Sequence, residues 1–252
     1  GMRAIPLHCL QLRFECCPMP TQRLTFADQE LIIDLTGLAI WPGTKTAIVA
    51  DLHFEKATSY AMRRGSLLPP FDTRATLDNL GRALAQYRIE RVIALGDSFH
   101  DAQGPARLGT LERDMLERLT NRYHFLWITG NHDPELPDDM PGDCVSEHHE
   151  GGLVFRHEAD PGSDDRAELS GHFHPKARIR TPQKPISAPC FAFDDRKLML
   201  PSFGVLTGGL NVLDKAVRGL FAPDFRVAML GQRRLFTFSN HQLEPDRTAR
   251  VD

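Results

Sequence analysis

The chain has 252 residues, of which 41% are hydrophobic and 25% charged, so it has ample apolar material for a core and is not a disordered or fibrous protein. Its formal net charge of −3 gives no general attraction to polyanions, so a nucleic-acid partner would need a local basic patch. No run of about 18 apolar residues occurs, so we expect no membrane-spanning segment. The five scattered cysteines favour reduced thiols and a cytoplasmic location.

The predicted elements of the first half alternate between strands and helices. Short apolar runs predict strands at 31–35, 38–41, 46–50, 91–95 and 125–129. Apolar residues at helical spacing predict one helix through 77–87, which Asp72 or Thr73 would cap, and a second through 111–119. A strand, helix, strand, helix, strand order of this kind is typical of a layered α/β domain.

The second half has a different character from about residue 150 onward. Short strand-like segments separated by Gly and Pro predict a second, more antiparallel sheet from 153–156, 167–170, 190–193 and 197–200. No break is long enough to be a flexible linker. We therefore predict a single domain over 26–240, with an N-terminal extension over 1–25 and a polar tail over 241–252.

Polar clusters follow the predicted strands at five places. They are Asp51-Leu52-His53, Gly96-Asp97-Ser98-Phe99-His100-Asp101, Gly130-Asn131-His132-Asp133, His157 and Gly171-His172-Phe173-His174-Pro175. Their side chains supply oxygen and imidazole nitrogen but no sulfur, a donor set that suits divalent Mn, Fe or Zn. Because ligands of layered α/β sheets gather at the carboxyl ends of the strands, we expect the five clusters to meet.

Each cluster also has an ordinary structural interpretation when it is taken alone. Gly96-Asp97 after a strand is commonly a turn, and His157 alone would more often be a hydrogen-bonded interior histidine. A single Asp-x-His is more often a surface pair than a metal site. The order of all five clusters at strand ends favours a shared metal site.

In this order the clusters resemble the signature of the calcineurin-like metallophosphoesterase superfamily. The similarity extends to its bacterial DNA-ligase-associated branch through Trp41-Pro42, Asp51 to Lys56, Leu95 to His100, Gly171 to Pro175 and Leu200 to Gly204. The resemblance covers roughly residues 38–215 and implies a four-layer α/β/β/α sandwich, in which two mixed sheets are flanked by helices.

The resemblance also implies a dinuclear metal site. The first metal would be held by Asp51, His53 and His174. The second would be held by Asn131, His157 and His172, and Asp97 would bridge the two. We expect two divalent ions, most of all Mn, with Fe or Zn as alternatives.

The same resemblance suggests the residues that act on the substrate. His132 would face the substrate as a general acid or a phosphate-binding group, and Asp133 would orient His132 by a hydrogen bond. Many superfamily members carry an acidic residue where this chain has His100, which we predict to be a substrate-facing group together with Arg64. Glu158 follows His157 where the superfamily commonly has Gly.

The implied activity is hydrolysis of phosphodiesters, with single-stranded DNA as the expected substrate in DNA repair. Family resemblance also suggests association with an ATP-dependent DNA ligase and a helicase. Two alternatives stay open, namely a phosphomonoesterase or nucleotide hydrolase on the same site and a non-catalytic scaffold with this fold.

Two groups of basic residues also have two possible interpretations. They are Arg63-Arg64 and the group of Lys176, Arg178, Arg180 and Lys184. Each is either an ordinary solvated surface or a track for phosphates that leads to the metals.

Overall fold

The computed structural model describes residues 21–64, 71–133, 135–137, 139–162 and 166–246. The side chains of Arg63 and Arg64 are outside this description. Residues 1–20 of the predicted extension and 247–252 of the predicted tail also lie outside the described residues. Within the predicted terminal segments, a strand begins at Thr21, and Leu243 is buried in a core cluster.

The first sheet has seven strands within the described ranges, and their order in space is their order in the chain. They are β1 Thr21–Phe26, β2 Gln29–Asp34, β3 Ala39–Trp41, β4 Thr46–Val49, β5 Arg91–Leu95, β6 His124–Ile128 and β7 Asp143–Val145. Strands β1 to β4 pair antiparallel, and β4 to β7 pair parallel. The apolar runs that predicted β4, β5 and β6 are buried on both faces, as parallel strands require.

Helices cover the outer face of the first sheet. They are α1 Lys56–Arg64, α2 Asp72–Leu84, α3 Gly104–Arg107 and α4 Thr110–Arg122. Leu77 and Leu80 of α2 and Leu116 of α4 pack with Val92 and Trp127 of the sheet in one buried cluster. None of the helices in the described ranges is long and apolar enough to cross a membrane.

The second sheet contains the remaining strands of the described chain. They are β8 Glu147–Glu150, β9 Leu153–Arg156, β10 Ala167–Ser170, β11 Lys176–Ile179, β12 Ile186–Phe193, β13 Lys197–Met199, β14 Arg226–Leu230 and β15 Leu235–Ser239. Their order is β15-β14-β12-β13-β10-β9-β8, and β11 pairs with β12 beside this path. Only the β9–β10 and β10–β13 pairs of these described strands are parallel, so the sheet is mostly antiparallel, as predicted.

The two sheets face each other across an apolar interface. Ile48 and Ile93 of the first sheet share a buried cluster with Phe155, Leu169 and Phe191 of the second. A further buried cluster covers the outer face of the second sheet, where loops and the short helix α5 Lys215–Arg218 form a thin fourth layer. The predicted α/β/β/α sandwich is therefore confirmed.

This architecture brings the ends of several parallel strands to one rim. Backbone hydrogen bonds connect the loops there: His53 N–H donates to the Asp97 carbonyl at 2.9 Å, and Gly171 N–H donates to the His157 carbonyl at 2.9 Å. Phe203 N–H donates to the Ala50 carbonyl at 3.0 Å, which joins the second sheet to the end of β4. The loops that carry the polar clusters are thus fixed to one another.

A buried carboxylate organises the turn between β2 and β3. Oδ1 of the fully buried Asp34 accepts the backbone N–H groups of Thr36 at 2.9 Å and Leu38 at 3.1 Å, and also the Thr36 hydroxyl. Its Oδ2 accepts the Tyr87 hydroxyl at 2.8 Å, which connects the turn to the segment after α2. Burial raises the pKa of Asp34 although these donors oppose the rise. The turn therefore depends on one carboxylate.

We expect Asp34→Ala to lower the free energy of unfolding by about 3 kcal/mol, because several donors lose a shared acceptor in a buried place. Tyr87→Phe removes one of these hydrogen bonds and should cost about 1 kcal/mol. Urea unfolding followed by circular dichroism measures both losses. Equal losses for the two substitutions would contradict this account of the turn.

Candidate metal centre

Strained backbone carries most of the side chains at the rim. Left-handed φ angles of 53°, 47°, 47°, 70° and 47° occur at Asp51, His53, Asp97, His172 and His174. Few non-glycine residues adopt such angles, and each costs on the order of 1–3 kcal/mol. Their concentration at one rim indicates that packing and hydrogen bonds hold these side chains in a functional arrangement.

Glycines let the backbone approach these side chains. A Cβ atom at Gly130 would lie 2.2 Å from Oδ1 of Asp97, and one at Gly96 would lie 2.3 Å from Nδ1 of His157. Gly96 also has a φ of +74°, which larger residues rarely adopt. Both positions therefore need glycine for the loops to meet at the rim.

The first cluster joins Asp51, His53 and His174. Nε2 of His53 lies 3.0 Å from Nε2 of His174, which lies 3.4 Å from Oδ1 of the fully buried Asp51. Burial and then the neighbouring His174 lower the pKa of His53 to about 2, so its imidazole is neutral. Neutral imidazole is the form that binds a metal ion.

The second cluster joins Asp97, Asn131, His157 and His172. Oδ1 of Asn131 lies 2.9 Å from Nε2 of His157 and 3.0 Å from Nδ1 of His172. Nε2 of His157 is also 3.4 Å from Oδ1 of Asp97. Oxygen and nitrogen donors from four separate loops thus point at one small volume.

The carboxylate of Asp97 lies between the two clusters. Its Oδ1 faces His157, and its Oδ2 lies 3.9 Å from Nε2 of His53. Burial alone would raise the pKa of Asp97, but the hydrogen bond and charge of His157 and the backbone N–H of His132 lower it to about 2. Asp97 is therefore ionised and presents one oxygen to each cluster, as a bridging ligand does.

His157 has one nitrogen fixed by the fold. Its Nδ1–H donates to the carbonyl of Leu95 at 2.9 Å, which directs Nε2 toward the clusters. Burial alone would lower the pKa of His157, but the hydrogen bond that it donates to Asp97 and the charges of Asp51 and Asp97 raise it to about 9. A proton on Nε2 therefore stands where a cation would bind, and metal binding would release it.

The donor chemistry fits a pair of divalent ions. Each of two groups in the described part of the chain, Asp51-His53-His174 and Asp97-His157-His172, offers ligand atoms within 4.8 Å of one another. The donors are carboxylate oxygen and imidazole nitrogen, to which Asn131 adds an amide oxygen. These two candidate clusters fit a dinuclear metal site.

His132 lies at the open side of the clusters. Its Nδ1–H donates to the carbonyl of His100 at 2.8 Å, and its backbone N–H donates to Oδ1 of Asp97 at 2.9 Å. Nε2 lies 3.9 Å from Oδ2 of Asp97, and the side chain is 39% exposed. This nitrogen is therefore directed toward the clusters and accessible to a substrate.

The predicted hydrogen bond between Asp133 and His132 is absent from the described contacts. The buried Asp133 carboxylate instead accepts backbone N–H groups of Asp97 at 3.1 Å, Phe99 at 3.1 Å and Gly130 at 3.0 Å. Burial raises its pKa to about 6. Asp133 thus joins the loops after β5 and β6, because its carboxylate turns toward backbone donors and away from the imidazole. The carbonyl of His100 orients His132.

The two predicted substrate-binding residues have different outcomes. The ring of His100 lies outside both donor groups and stacks on that of His132, with centroids 5.1 Å apart. Arg64 ends α1, and its side chain lies outside the described residues.

Sequence reasoning assigned no role to Glu158 or Ser202, which the structure brings to the site together with Tyr60. Tyr60 of α1 also stacks on His100, with ring centroids 5.5 Å apart. Oε1 of Glu158 lies 3.7 Å from Nε2 of His172, and the hydroxyl of Ser202 donates to the Asp51 carbonyl at 2.9 Å. No single motif could have revealed these contacts, since each one joins two segments that are separate in the sequence.

Two facing mixed sheets with paired metal-ligand clusters at their rim fit the architecture expected of a metallophosphoesterase. No family model and no curated protein matches the sequence. The chain is similar to the crystal structure of Pseudomonas putida nuclease MPE, with a TM-score of 0.68 and 28% identity over 86% of this chain and 100% of that one. A Vps29 double mutant from Entamoeba histolytica gives a TM-score of 0.30 and 16% identity over 79% and 95% of the two chains, which is too loose to carry an argument. The match to the nuclease supports the metallophosphoesterase superfamily that the motifs resemble.

We expect the chain to bind two Mn²⁺ ions, one for each cluster. His174→Ala should remove one ion because His174 belongs to the first cluster alone. Asp97→Ala should weaken both, since its oxygens face both clusters. Equilibrium dialysis followed by elemental analysis measures the ratio of bound Mn²⁺ ions to chains. His241→Ala is the control, because His241 is an exposed histidine paired with Asp224, and it should leave the ratio unchanged. Binding of two Mn²⁺ ions by Asp97→Ala with unchanged affinity would contradict the role of Asp97 as a ligand shared by both clusters.

We expect Asp133→Asn to weaken Mn²⁺ binding about 10- to 100-fold, the range typical of groups that orient metal ligands. An amide has one acceptor oxygen, so at least one of the backbone N–H groups would face an NH₂ group. Titration of the metal-free chain, followed by calorimetry, measures the affinity. Asp139→Asn makes the same chemical change at an exposed position nearby and should have no effect. An equal effect of both substitutions would argue against the bracing role of Asp133.

Proposed function

We propose that the chain is a metal-dependent phosphodiesterase of the DNA-ligase-associated branch that cleaves a nucleic-acid strand. The observation that carries this proposal is the carboxylate of Asp97, which presents one oxygen to each donor cluster, with Nε2 of His132 beside it. This arrangement suits in-line displacement at phosphorus. Mn²⁺ is the ion that we favour, with Fe or Zn as alternatives.

Two divalent ions would supply an activated water molecule and neutralise the charge of the phosphate. The chain's own residues would position these ions, with Asp97 between them and Asp51 and Asn131 on opposite sides. His132 has a fixed Nδ1–H, so its Nε2 would hold or deliver a proton at the oxygen that leaves phosphorus. Asn131 contributes a neutral oxygen, which leaves more positive charge in the site for an anionic substrate.

The choice of a nucleic-acid strand rests on two supporting observations. The similar Pseudomonas putida protein is a nuclease according to its title. The site also lies at an open rim, where Asn131 is exposed and His132 is partly exposed. An internal phosphate of a long strand could therefore reach it, and no strand end would be needed. We accordingly propose single-stranded DNA as the substrate and DNA repair as the setting. Association with an ATP-dependent DNA ligase and a helicase remains a proposal from family resemblance.

We expect the chain with Mn²⁺ to hydrolyse bis(p-nitrophenyl) phosphate faster than p-nitrophenyl phosphate. His132→Ala should lower kcat about 10²- to 10⁴-fold, the usual contribution of a positioned acid or base, while metal content is retained. Asp97→Ala should lose hydrolysis together with metal. His124→Ala removes an exposed histidine that pairs with Asp143 and should leave the rate unchanged.

Other outcomes of this assay would point elsewhere. Hydrolysis of the monoester alone would contradict the phosphodiesterase and indicate a phosphomonoesterase or nucleotide hydrolase. If the chain binds two ions but hydrolyses neither compound nor oligonucleotides, the result would contradict an enzymatic function. It would favour a non-catalytic scaffold with this fold.

A further inference from the structure

A row of basic side chains lies on β11, the strand that begins two residues after His174, and on the residue that follows its end at Ile179. We call Lys176, Arg178 and Arg180 the basic row. The residues between them, Ala177 and Ile179, pack in the buried cluster under the outer face of the second sheet. Because side chains alternate along a strand, the basic row lies on the opposite side, where the side chain of Arg178 is 20% exposed and that of Arg180 is 82% exposed.

One end of the basic row adjoins the metal centre. A Cβ atom at Gly209 would lie 2.1 Å from the carbonyl oxygen of His174 and 3.1 Å from Cε of Lys176. The side chain of Lys176 therefore passes beside the backbone of a residue in the first cluster. The backbone N–H of Lys176 donates to the carbonyl of Leu210 at 2.8 Å, which fixes the start of the row.

The other end of the basic row borders a recess of about 590 Å³ that Lys184 also lines. Glu244 lies between two arginines there: its Oε1 accepts Nε of Arg180 at 2.6 Å, and its Oε2 is 4.0 Å from Nε of Arg178. This Arg178 nitrogen has no hydrogen-bond acceptor among the described residues. One carboxylate therefore faces two guanidinium groups and satisfies only one of them.

Backbone contacts place Glu244 independently of its charge. The N–H of Glu244 donates to the carbonyl of Arg178 at 2.7 Å, and Leu243 forms an antiparallel bridge with Ile179. Leu243 is buried in the same apolar cluster as Ala177. The segment thus lies beside β11 through one isolated bridge, and these backbone contacts hold the Glu244 carboxylate near the arginines.

We propose that the basic row binds the phosphates of a single-stranded nucleic acid whose cleaved phosphate lies at the metal centre, and that Glu244 is an internal counter-anion which the strand displaces. This proposal rests on the proposed function. Alternate residues of a strand are about 7 Å apart, so the row extends a line of cations away from the metals. Grooves that bind single strands use such lines of charge to follow the backbone.

Charge and exposure support the displacement of Glu244. The side chain of Arg180 is 82% exposed and that of Glu244 is 23% exposed, so water weakens this ion pair from the arginine's side. The basic row and Lys184 carry more positive charge than Glu244 and Asp246 neutralise. A phosphate would give Arg178 the acceptor that its Nε lacks, and the released counter-ions would add to the affinity.

Fluorescence anisotropy with a fluorescein-labelled oligothymidylate tests this proposal, with EDTA present to prevent cleavage. We expect the Lys176→Ala/Arg180→Ala double variant to bind about tenfold more weakly and to lower the slope of log K against log salt by about 1.4, or about 0.7 for each lost contact. Glu244→Gln should bind about threefold more tightly, since it removes the competing charge and keeps the segment in place.

Arg82→Ala is the matched control, because Arg82 is another exposed arginine that pairs with a carboxylate, Asp78. It should bind like the unsubstituted chain, and thermal melts should verify that each variant is folded. An unchanged affinity and salt slope in the double variant, or an equal loss in Arg82→Ala, would overturn the proposal. Unchanged or weaker binding by Glu244→Gln would overturn the role of Glu244.

Hydrolysis of bis(p-nitrophenyl) phosphate by the unsubstituted chain with Mn²⁺ is measured in parallel. Its failure would count against the phosphodiesterase, whereas the anisotropy result in EDTA decides on the basic row. The failure of the phosphodiesterase proposal can therefore be distinguished from the failure of the basic-row proposal.

Discussion

The arrangement of the site depends on one constraint, namely that a single buried carboxylate must face two groups of donors at once. Asp97 meets this constraint because β5 ends between β4 and β6, so its loop lies between the loops that carry Asp51 and Asn131. The charge of Asp97 is held by His157 and by the backbone N–H of His132. Any displacement of this carboxylate would separate the two clusters.

The cost of this arrangement appears in the backbone. Left-handed residues and close glycine contacts are unfavourable by themselves, and they persist where the surrounding structure compels them. The apolar interface between the sheets and the hydrogen bonds between the rim loops stabilise these unfavourable backbone conformations. Asp133 belongs to the same support, since its carboxylate gathers N–H groups from the loops after β5 and β6. The strained backbone of the site is therefore offset by packing and hydrogen bonds in the rest of the fold.

The sequence predicts the elements whose apolar pattern is strong. Strands β4, β5 and β6 and helix α2 were expected because buried parallel strands and amphipathic helices leave clear periodicities. Strand β8 was not expected, since Glu147–Glu150 is wholly polar and lies at a sheet edge without an apolar face. Strand β1 begins at Thr21, inside the stretch predicted as an extension, although Leu24 and Phe26 alternate in the manner of a half-buried strand.

Part of the candidate site could be predicted from the sequence and part could not. The order of the clusters predicted a shared metal site, and the family resemblance implied which residues would supply the metal donors. The partner of Asp133, the stacking of Tyr60 on His100 and the position of Glu244 depend on rotamers and on contacts between distant segments. No periodicity encodes such contacts, so only the folded arrangement reveals them.

The central claim is that Asp97 joins two metal ions. Anomalous X-ray diffraction from crystals grown with Mn²⁺ tests it most directly. We predict two anomalous peaks about 3.5–4 Å apart, with one oxygen of Asp97 directed at each peak. A single peak, or two peaks of which one has no contact with Asp97, would contradict the account.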